Sequence, residues 1–557
     1  MKNKLKKSKK TILIIAAIVA AAIVAVVLYA VIGKPEDKTV ELRIIATSDL
    51  HGRMLPFDYS LNQEDDSGSM AQLSTAIDEY RTDNTFLVDA GDLIQGNAAG
   101  LFIEDDIHPG IEWLNWMGYD VFVTGNHEYD YSVADIKKNL DGFNNTVLTG
   151  NVFYNDGTEL ADGYVIKEQD GIRVAFIGMT TNNNAGWSSD AKEKLYATDA
   201  LDETREIVDS IEGKYDVLIG VFHMGLNNEF DIPDTGVTDI CKAIPEFDVM
   251  IASHEHKEVD GMNINNVLVV ENMSDGRTMS VVDLRLVKNK KKWDVEYKTS
   301  ECVKIESYQS DSTADAMFAQ YDEIAKEDAM TTIGLLEGNK PLVEDEDSGP
   351  LCPAVSHDNA MVDLINDVQM YYTGASVSCT TVCDDDSNLM PGKIHRCDLF
   401  NIYKFQNTLY LLHMTGEQLK KFMEYNAKFY NTFETGDEYI TQNENEFLYN
   451  YYIFDGVRYE IDVSKPVGNR IKNLTWMDGT PVKDDDEFEI AVNNYLADTV
   501  LLIPGVIYDV DGMPQVVQRD VRSDIGDVTN MIGDYIENVR GGVITAQCNE
   551  NWKLVKD

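Results

Sequence analysis

Five times between residues 41 and 300, a short apolar run is followed at once by a loop rich in aspartate, asparagine or histidine. The five loops read 47-TSDLHGR-53, 89-DAGDLIQG-96, 124-TGNHEYD-130, 222-FHMG-225 and 252-ASHEH-256. Between such runs, apolar residues recur at helical spacing, as at Met70, Leu73, Ile77 and Tyr80. Alternating strand-like and helical segments predict a layered α/β fold, in which strand ends converge on one crevice.

The loops contain side chains that can bind a divalent metal. Together they supply Asp49, His51, Asp92, Asn126, His127, His223, His254 and His256. A single histidine after a strand is more often structural, so the prediction of a shared metal site depends on their joint occurrence. Two ions about 3.5–4 Å apart need one bridging ligand. Asp92 suits that role because a carboxylate has two oxygens and its loop is flanked by glycines.

The ligand types also indicate which metal would bind. Asp49 and His51 are two residues apart, so on an extended segment they point the same way and can hold one ion. Imidazoles favour zinc, manganese or iron over magnesium alone. We therefore expect two divalent ions of the zinc or manganese kind.

The length of 557 residues predicts more than one folded unit. A helical pattern over residues 312–330 predicts a solvent-facing connecting helix, and mixed helical and strand-like segments follow it. We expect domains at 41–305 and 341–557, joined by a linker helix within 306–340.

The first 40 residues predict a membrane anchor or signal. Six lysines lie within MKNKLKKSKK, and residues 11–33 then contain no Asp, Glu, Lys, Arg or His. A run of about 20 apolar residues is long enough to cross a bilayer, and the lysines would stay in the cytoplasm. We predict a cell-membrane protein with one N-terminal helix and an extracytoplasmic body. If the segment is cleaved as a signal peptide, the body is secreted instead.

The strong acidity of the chain limits its partners. It has 96 acidic against 47 basic residues and a net charge of −49. Nucleic acid polymers are excluded as ligands because their binding needs clustered Lys and Arg. A small anionic substrate would have to meet a bound metal. No protein partner can be inferred.

The set D-x-H, GD, GNHE, a single H and a closing H-x-H resembles the calcineurin-like metallophosphatases. In 123-VTGNHEYD-130 it is similar to the branch of 5′-nucleotidases and 2′,3′-cyclic-nucleotide 2′-phosphodiesterase/3′-nucleotidases. The resemblance covers nearly all of the chain after the N-terminal segment. It implies a layered αββα metallophosphatase domain, with two packed sheets flanked by helices, and a second α+β nucleotide-binding domain.

The resemblance also implies roles for individual residues. One metal would be held by Asp49, His51, Asp92 and His256, and the other by Asp92, Asn126, His223 and His254. His127 and Asp130 resemble the catalytic dyad of the family, in which the histidine stabilises charge or protonates the leaving oxygen. Water activated by the two metals would attack phosphorus in line.

Sequence in the second half bears on the substrate. Residues 376–394 lack the N-x-G-x-x-R segment typical of 5′-nucleotidases, whereas residues 402–424, 449–466 and 550–554 look like the cyclic-nucleotide phosphodiesterase members. The preferred function is therefore hydrolysis of extracellular 2′,3′-cyclic and 3′-nucleotides. One alternative is a 5′-nucleotidase or UDP-sugar/nucleotide-diphosphate hydrolase. Another is a non-catalytic surface receptor or adhesin, against which the intact dyad argues.

Aromatic side chains are candidates for stacking on the nucleotide base. The family uses a pair of rings for this purpose, and every base offers a π face. By its place before 455-DGVRYEID-462, Tyr451 or its neighbour Tyr449 matches the first ring. Tyr508 is the candidate for the second, although the double glycine that usually precedes that ring is missing from 493-NNYLADTVLLIPGVIY-508.

Overall fold

The first half of the chain contains two six-stranded sheets. The computed structural model describes residues 38–182, 184, 187–227, 235–290, 292–344, 349–405, 407–523 and 525–556. The strands of one sheet, in spatial order, are Lys292–Lys304, Thr278–Asn289, Thr39–Thr47, Thr85–Asp89, Val121–Val123 and Thr146–Leu148. Those of the other are Val259–Ile264, Val267–Glu271, Val249–Ala252, Val217–His223, Ile172–Thr180 and Tyr164–Gln169. Two-stranded ribbons add Phe57–Asp58 with Gln63–Glu64, and Val152–Tyr154 with Leu195–Ala197.

Parallel pairing brings the polar loops to one edge of each sheet. The strand Thr39–Thr47 runs parallel to Thr85–Asp89, with Thr47 opposite Asp89. Thr85–Asp89 in turn runs parallel to Val121–Val123. In the second sheet Val217–His223 runs parallel to Val249–Ala252. All five loops therefore leave from the carboxyl ends of parallel strands, where ligands bind in such sheets.

The two sheets pack face to face, with helices outside each. Val88 and Val123 of one sheet share an apolar core with Val174 and Val221 of the other, and the rings of Phe86 and Phe176 meet at 5.3 Å. The flanking helices are Met70–Tyr80, Pro109–Met117, Val133–Asp141, Ser189–Lys194, Ala200–Ser210 and Val237–Ala243. The prediction of a layered αββα unit is confirmed.

The helix Met70–Tyr80 shows how the sequence determines these elements. Its apolar residues Met70, Leu73 and Ile77 recur at helical spacing and are fully buried. The Ser69 hydroxyl accepts a hydrogen bond from the Gln72 amide, which is the usual way to begin a helix.

A helix at Ser312–Ala329 follows the first half. It begins at Asp311, whose carboxylate accepts hydrogen bonds from the amides of Thr313 and Ala314. Phe318 and Tyr321 are buried in the core of the first half. The sequence pattern predicted a solvent-facing helix, but one face of this helix is packed. Arg396 of the second half pairs with Asp328 at its end.

The second half is mixed α and β, as predicted. A five-stranded sheet has the order Tyr452–Asp455, Val377–Thr381, Glu487–Asn493, Leu409–Thr415 and Gln515–Gln518. One three-stranded sheet has the order Gly392–His395, Thr332–Glu337 and Val543–Thr545. Another has the order Ile471–Trp476, Val457–Asp462 and Trp552–Val555. Its α-helices are Pro353–Ser356, Ala360–Thr373, Gly416–Asn426, Asn494–Leu496 and Val528–Asp534. The domain boundaries at residues 305 and 340 stay predictions.

The prediction of a cell-membrane protein with an N-terminal anchor is corrected. Across the described ranges, no helix is long and apolar enough to cross a bilayer. The longest described helix, Ser312–Ala329, has Asp and Glu among its exposed residues, and its buried residues lie along one stripe. Residues 11–33, from which the anchor was predicted, lie outside the described residues. An uncharged apolar run shows hydrophobicity but does not by itself show a spanning helix.

Candidate metal centre and active site

Most of the predicted metal ligands lie on backbone that non-glycine residues rarely adopt. The dihedral φ is positive at Asp49 (53°), His51 (44°), Asp92 (57°), His254 (78°) and His256 (56°). Such conformations cost free energy and cluster at functional sites, where the surrounding structure imposes them. Here, neighbouring loops impose them, since the amides of Asp49 and His51 donate to the carbonyls of Gly91 and Asp92.

One cluster of ligand atoms joins the two sheets. Atoms of Asp49, His51 and His256 all lie within 4.8 Å of one another. The Nδ1 atom of His51 lies 3.0 Å from the Gln95 side-chain oxygen, so Nδ1 carries the proton. The Nε2 atom of His51 then carries a lone pair, and it lies 3.1 Å from Nε2 of His256. A cation shared by these nitrogens and the Asp49 carboxylate would make this arrangement favourable.

A second cluster lies beside the first. Atoms of Asp92, His223 and His254 are within 4.8 Å of one another. His223 donates from Nδ1 to the Ala90 carbonyl at 2.7 Å, which directs Nε2 toward oxygens of Asp92 and Asn126, each 3.1 Å away. Fixing the tautomer through the other ring nitrogen is typical of metal-binding histidines.

Electrostatics at this cluster favour positive charge. Burial opposes a charged imidazole, yet the carboxylates of Asp92 and Asp49 raise the pKa of His223 to about 10. The site attracts a cation strongly enough to overcome the cost of burial, and a divalent metal supplies more charge than a proton. The residues present therefore fit a pair of divalent metals.

Asp92 has a central position between the loops. One of its oxygens faces His223, and the other accepts the His127 amide at 2.9 Å. A Cβ atom added at Gly125 would lie only 2.1 Å from that second oxygen. Glycine is needed at position 125 because the carboxylate occupies the space of a side chain.

His127 and Asp130 form a hydrogen-bonded pair at the edge of the centre. The His127 Nδ1 atom lies 2.7 Å from an Asp130 oxygen, and its ring is 5.6 Å from that of His51. Burial lowers the pKa of His127, but the nearby carboxylates of Asp130 and Asp92 raise it to about 9. Because Nδ1 of His127 is hydrogen-bonded to Asp130, Nε2 is the ring nitrogen that can contact a substrate.

Sequence reasoning assigned no role to Glu128, which organises the centre. Its carboxylate is fully buried and accepts the amides of Asp92 and Leu93, at 2.9 and 2.8 Å, and the amide of Gly125. It ties the Asp92 loop to the GNHE loop. Its place in the GNHE motif was visible in the sequence, but its inward direction was not.

The predicted aromatic residues differ in accessibility. Tyr451 is 1% exposed, stacks on Phe429 at 4.4 Å and accepts a hydrogen bond from Tyr430. Tyr508 is 4% exposed and donates to the Gln418 carbonyl. Tyr449 is 38% exposed. Of the three rings, only that of Tyr449 is exposed, and it stacks on Phe447 with the ring centroids 5.4 Å apart.

A cleft of about 840 Å³ separates the two halves of the chain. Its lining includes His127, Asp130 and His254 from the first half and Tyr495 from the second. Tyr495 is 43% exposed and, within the NNY motif, is a stacking candidate that the sequence reasoning passed over. The metal centre thus opens onto a space lined by both halves.

The fold and the ligand set define a metal-dependent phosphoesterase, a hydrolase of phosphoric esters. Residues 42–258 match the family model of the calcineurin-like phosphoesterases, and residues 342–500 match that of the 5′-nucleotidase C-terminal domain. The chain therefore contains a calcineurin-like phosphoesterase domain followed by a 5′-nucleotidase C-terminal domain.

Relatives and solved structures agree with this assignment. The chain is 25% identical over 539 residues to a 2′,3′-cyclic-nucleotide 2′-phosphodiesterase/3′-nucleotidase of Salmonella typhimurium, covering 82% of this chain and 81% of that one. It is 25% identical to the trifunctional nucleotide phosphoesterase protein YfkN of Bacillus subtilis over 82% of this chain but spans only 36% of that longer protein. A Staphylococcus aureus structure assigned as a 5′-nucleotidase shares the fold, with TM-score 0.73 at 21% identity, covering 92% of this chain and 100% of that one.

Proposed function

We propose that this chain hydrolyses nucleotides with the help of two divalent metals, acting as a 2′,3′-cyclic-nucleotide 2′-phosphodiesterase and 3′-nucleotidase. The observation that carries the proposal is the pair of ligand clusters beside His127 and Asp130, at a cleft lined by both halves. The activity for which the Salmonella relative is named supports this substrate class, since the two proteins match over most of both chains.

Each cluster would hold one metal, of the zinc or manganese kind. Asp49, His51 and His256 would bind the first, and Asn126, His223 and His254 the second. Asp92 would be shared, which its central, buried position and its two differently directed oxygens support. When bound, such a metal pair supplies Lewis acidity and an activated water.

His127 would act on the phosphoryl group or the leaving oxygen. Its raised pKa keeps the imidazole protonated near neutral pH, so it can stabilise negative charge or donate a proton. Asp130 would hold the ring in position through the 2.7 Å contact at Nδ1. Tyr495 would stack on the base, because its ring is exposed and lines the cleft. Tyr449 is exposed as well but is not part of that lining.

A 5′-nucleotidase is the second candidate, favoured by the match of residues 342–500 to the 5′-nucleotidase C-terminal domain. The two candidates differ in the nucleotide isomer that is hydrolysed. Purified protein loaded with zinc or manganese should release 3′-nucleotide from 2′,3′-cyclic substrates, and phosphate from 3′-monophosphates. Phosphate release from 5′-monophosphates alone would favour the second candidate. No release from any of the three would contradict both and leave a receptor or adhesin.

A His127→Ala variant tests the proposed dyad. Turnover should fall by about 10²–10⁴-fold, the range typical of a lost general acid, while metal content stays at the wild-type level. A His413→Ala variant is the control, because His413 lies in the strand Leu409–Thr415 of the second half. Loss of metal in the His127 variant would mean that this histidine is a ligand instead.

A further inference from the structure

A second group of metal-competent side chains lies in the second half of the chain. Ligand atoms of Asp358, Asp363 and Cys548 are all within 4.8 Å of one another. Asp358 and Asp363 flank the start of the helix Ala360–Thr373, and Cys548 lies in the segment that precedes the last strand, Trp552–Val555. The fold thus brings together residues almost two hundred positions apart.

The carboxylates of this group lack a cationic partner. Asp358 accepts the Asn551 amide at 2.8 Å, and Asp363 accepts the Asn549 amide at 2.7 Å. Among the described residues, neither forms an ion pair with a Lys or Arg, although Asp363 is buried and Asp358 is partly buried. Buried carboxylates are costly unless a charge of opposite sign is close.

A buried amide oxygen in the same group also lacks a partner. Asn551 is 3% exposed, and its side-chain nitrogen donates to the Phe454 carbonyl and, at 3.3 Å, to a carboxylate oxygen of Asp455. Its backbone amide donates to Asp358, so Asn551 lies beside the acidic group, and within the part of the chain that the structure describes its buried Oδ1 atom has no hydrogen-bond donor. The same is true of the buried Oδ1 atom of Asn549, whose side-chain nitrogen donates to Asp363. Unmade hydrogen bonds of this kind are costly, and a nearby cation would supply the missing positive charge.

We propose that Asp358, Asp363 and Cys548 bind a zinc-class divalent cation, at a site separate from the catalytic centre. A thiolate with two carboxylates suits a borderline metal such as zinc better than calcium or magnesium, which prefer oxygen alone. Three protein ligands leave a fourth position for water or a ligand group. Asp358 and Cys548 line a cavity of about 760 Å³ from which that position can be filled.

Binding would release the thiol proton to solvent, because a metal binds the thiolate form of cysteine. The metal would fasten the segment containing Cys548 to the helix Ala360–Thr373. That segment leads into the strand Trp552–Val555, which pairs in parallel with Val457–Asp462. The site is therefore positioned to hold the end of the chain in the fold.

Cobalt provides a readout that the catalytic centre does not share. Cobalt bound by a thiolate shows a sulfur-to-metal charge-transfer absorption in the near ultraviolet, and none of the proposed catalytic ligands is a cysteine. We expect this band to develop as the metal-free, full-length protein is titrated with cobalt, and to reach its plateau by three cobalt ions per chain, because the two catalytic positions also take cobalt. Zinc added afterwards should remove the band by displacement.

Variants distinguish the proposed site from other sources of the band. Cys548→Ser should abolish it, and Asp363→Asn should weaken it strongly. Asp367→Asn is the matched control, because Asp367 lies one turn further along the same helix, is exposed and is outside the ligand group. Absence of the band in wild-type protein, or its persistence in Cys548→Ser, would overturn the proposal. Equal bands in Asp363→Asn and wild type would do so too.

Discussion

The substitution Gly125→Ala is expected to disable the metal centre through a single added methyl group. The new Cβ atom would lie 2.1 Å from an Asp92 carboxylate oxygen and 2.6 Å from the Asp92 backbone nitrogen. Ordinary contact begins near 3.4 Å, so the carboxylate would have to retreat by about 1.3 Å. Rotation of the side chain cannot relieve the clash, because the backbone nitrogen is involved.

The expected consequence follows from the lengths of metal–ligand bonds. Zinc–oxygen bonds are about 2.0–2.2 Å long, so a carboxylate displaced this far cannot keep both metals. A 1 Å misplacement in an active site can cost about 10²-fold in rate. We therefore expect Gly125→Ala to lower turnover at least about 10²-fold and to reduce bound metal below two ions per chain.

The assay combines turnover on the best nucleotide substrate with metal analysis of the same sample by mass spectrometry. Gly512→Ala is the control, since the nearest atom to its added Cβ is 4.0 Å away and its backbone is outside the left-handed region. Circular dichroism would show whether the variant remains folded. A folded Gly125→Ala protein with full metal content and wild-type turnover would refute the reasoning about Asp92.

Three further outcomes are expected. Glu128→Gln should lower the free energy of unfolding by about 1–3 kcal/mol, because the side-chain NH₂ group of glutamine would face a backbone N–H that now donates to the carboxylate. A denaturant titration measures this change, and an unchanged midpoint would contradict the role of Glu128 in holding the two loops together. Burial lowers the pKa of His108 to about 4, so its contribution to the free energy of unfolding is complete above pH 6.5 and is lost as the pH falls toward 4. Between those two pH values, the free energy of unfolding of the wild type should fall by about 3 kcal/mol more than that of His108→Asn. Urea titrations at both pH values measure this difference, and equal losses in the two proteins would contradict the prediction. Exhaustive chelation should abolish turnover, and zinc or manganese should restore it; activity that survives chelation would exclude a metal mechanism.

The fold of the first half could be predicted because its signal is local. Apolar runs that end at polar loops show where parallel strands stop, and parallel strands place their carboxyl ends together. Asp49 and His256 were for this reason expected to be neighbours, and atoms of the two lie within 4.8 Å. The positive φ values at these residues could not be read from the sequence, because only tertiary contacts impose them.

The aromatic residues show what the sequence could not determine. Tyr451 and Tyr449 are two positions apart, and nothing local distinguishes a ring that packs in the core from one that is exposed. Tyr451 is buried because Phe429 and Tyr430, from a distant segment, cover it. The group around Cys548 was also invisible, because its carboxylates precede it by nearly two hundred residues. Long-range packing decides both cases.

Anomalous diffraction from crystals of manganese-loaded protein would show whether two metals share Asp92. Two anomalous peaks about 3.5–4 Å apart are expected. One should lie among Asp49, His51 and His256, the other beside His223 and His254, with the Asp92 carboxylate between them. A single peak, or two peaks of which only one contacts Asp92, would show that Asp92 is not shared.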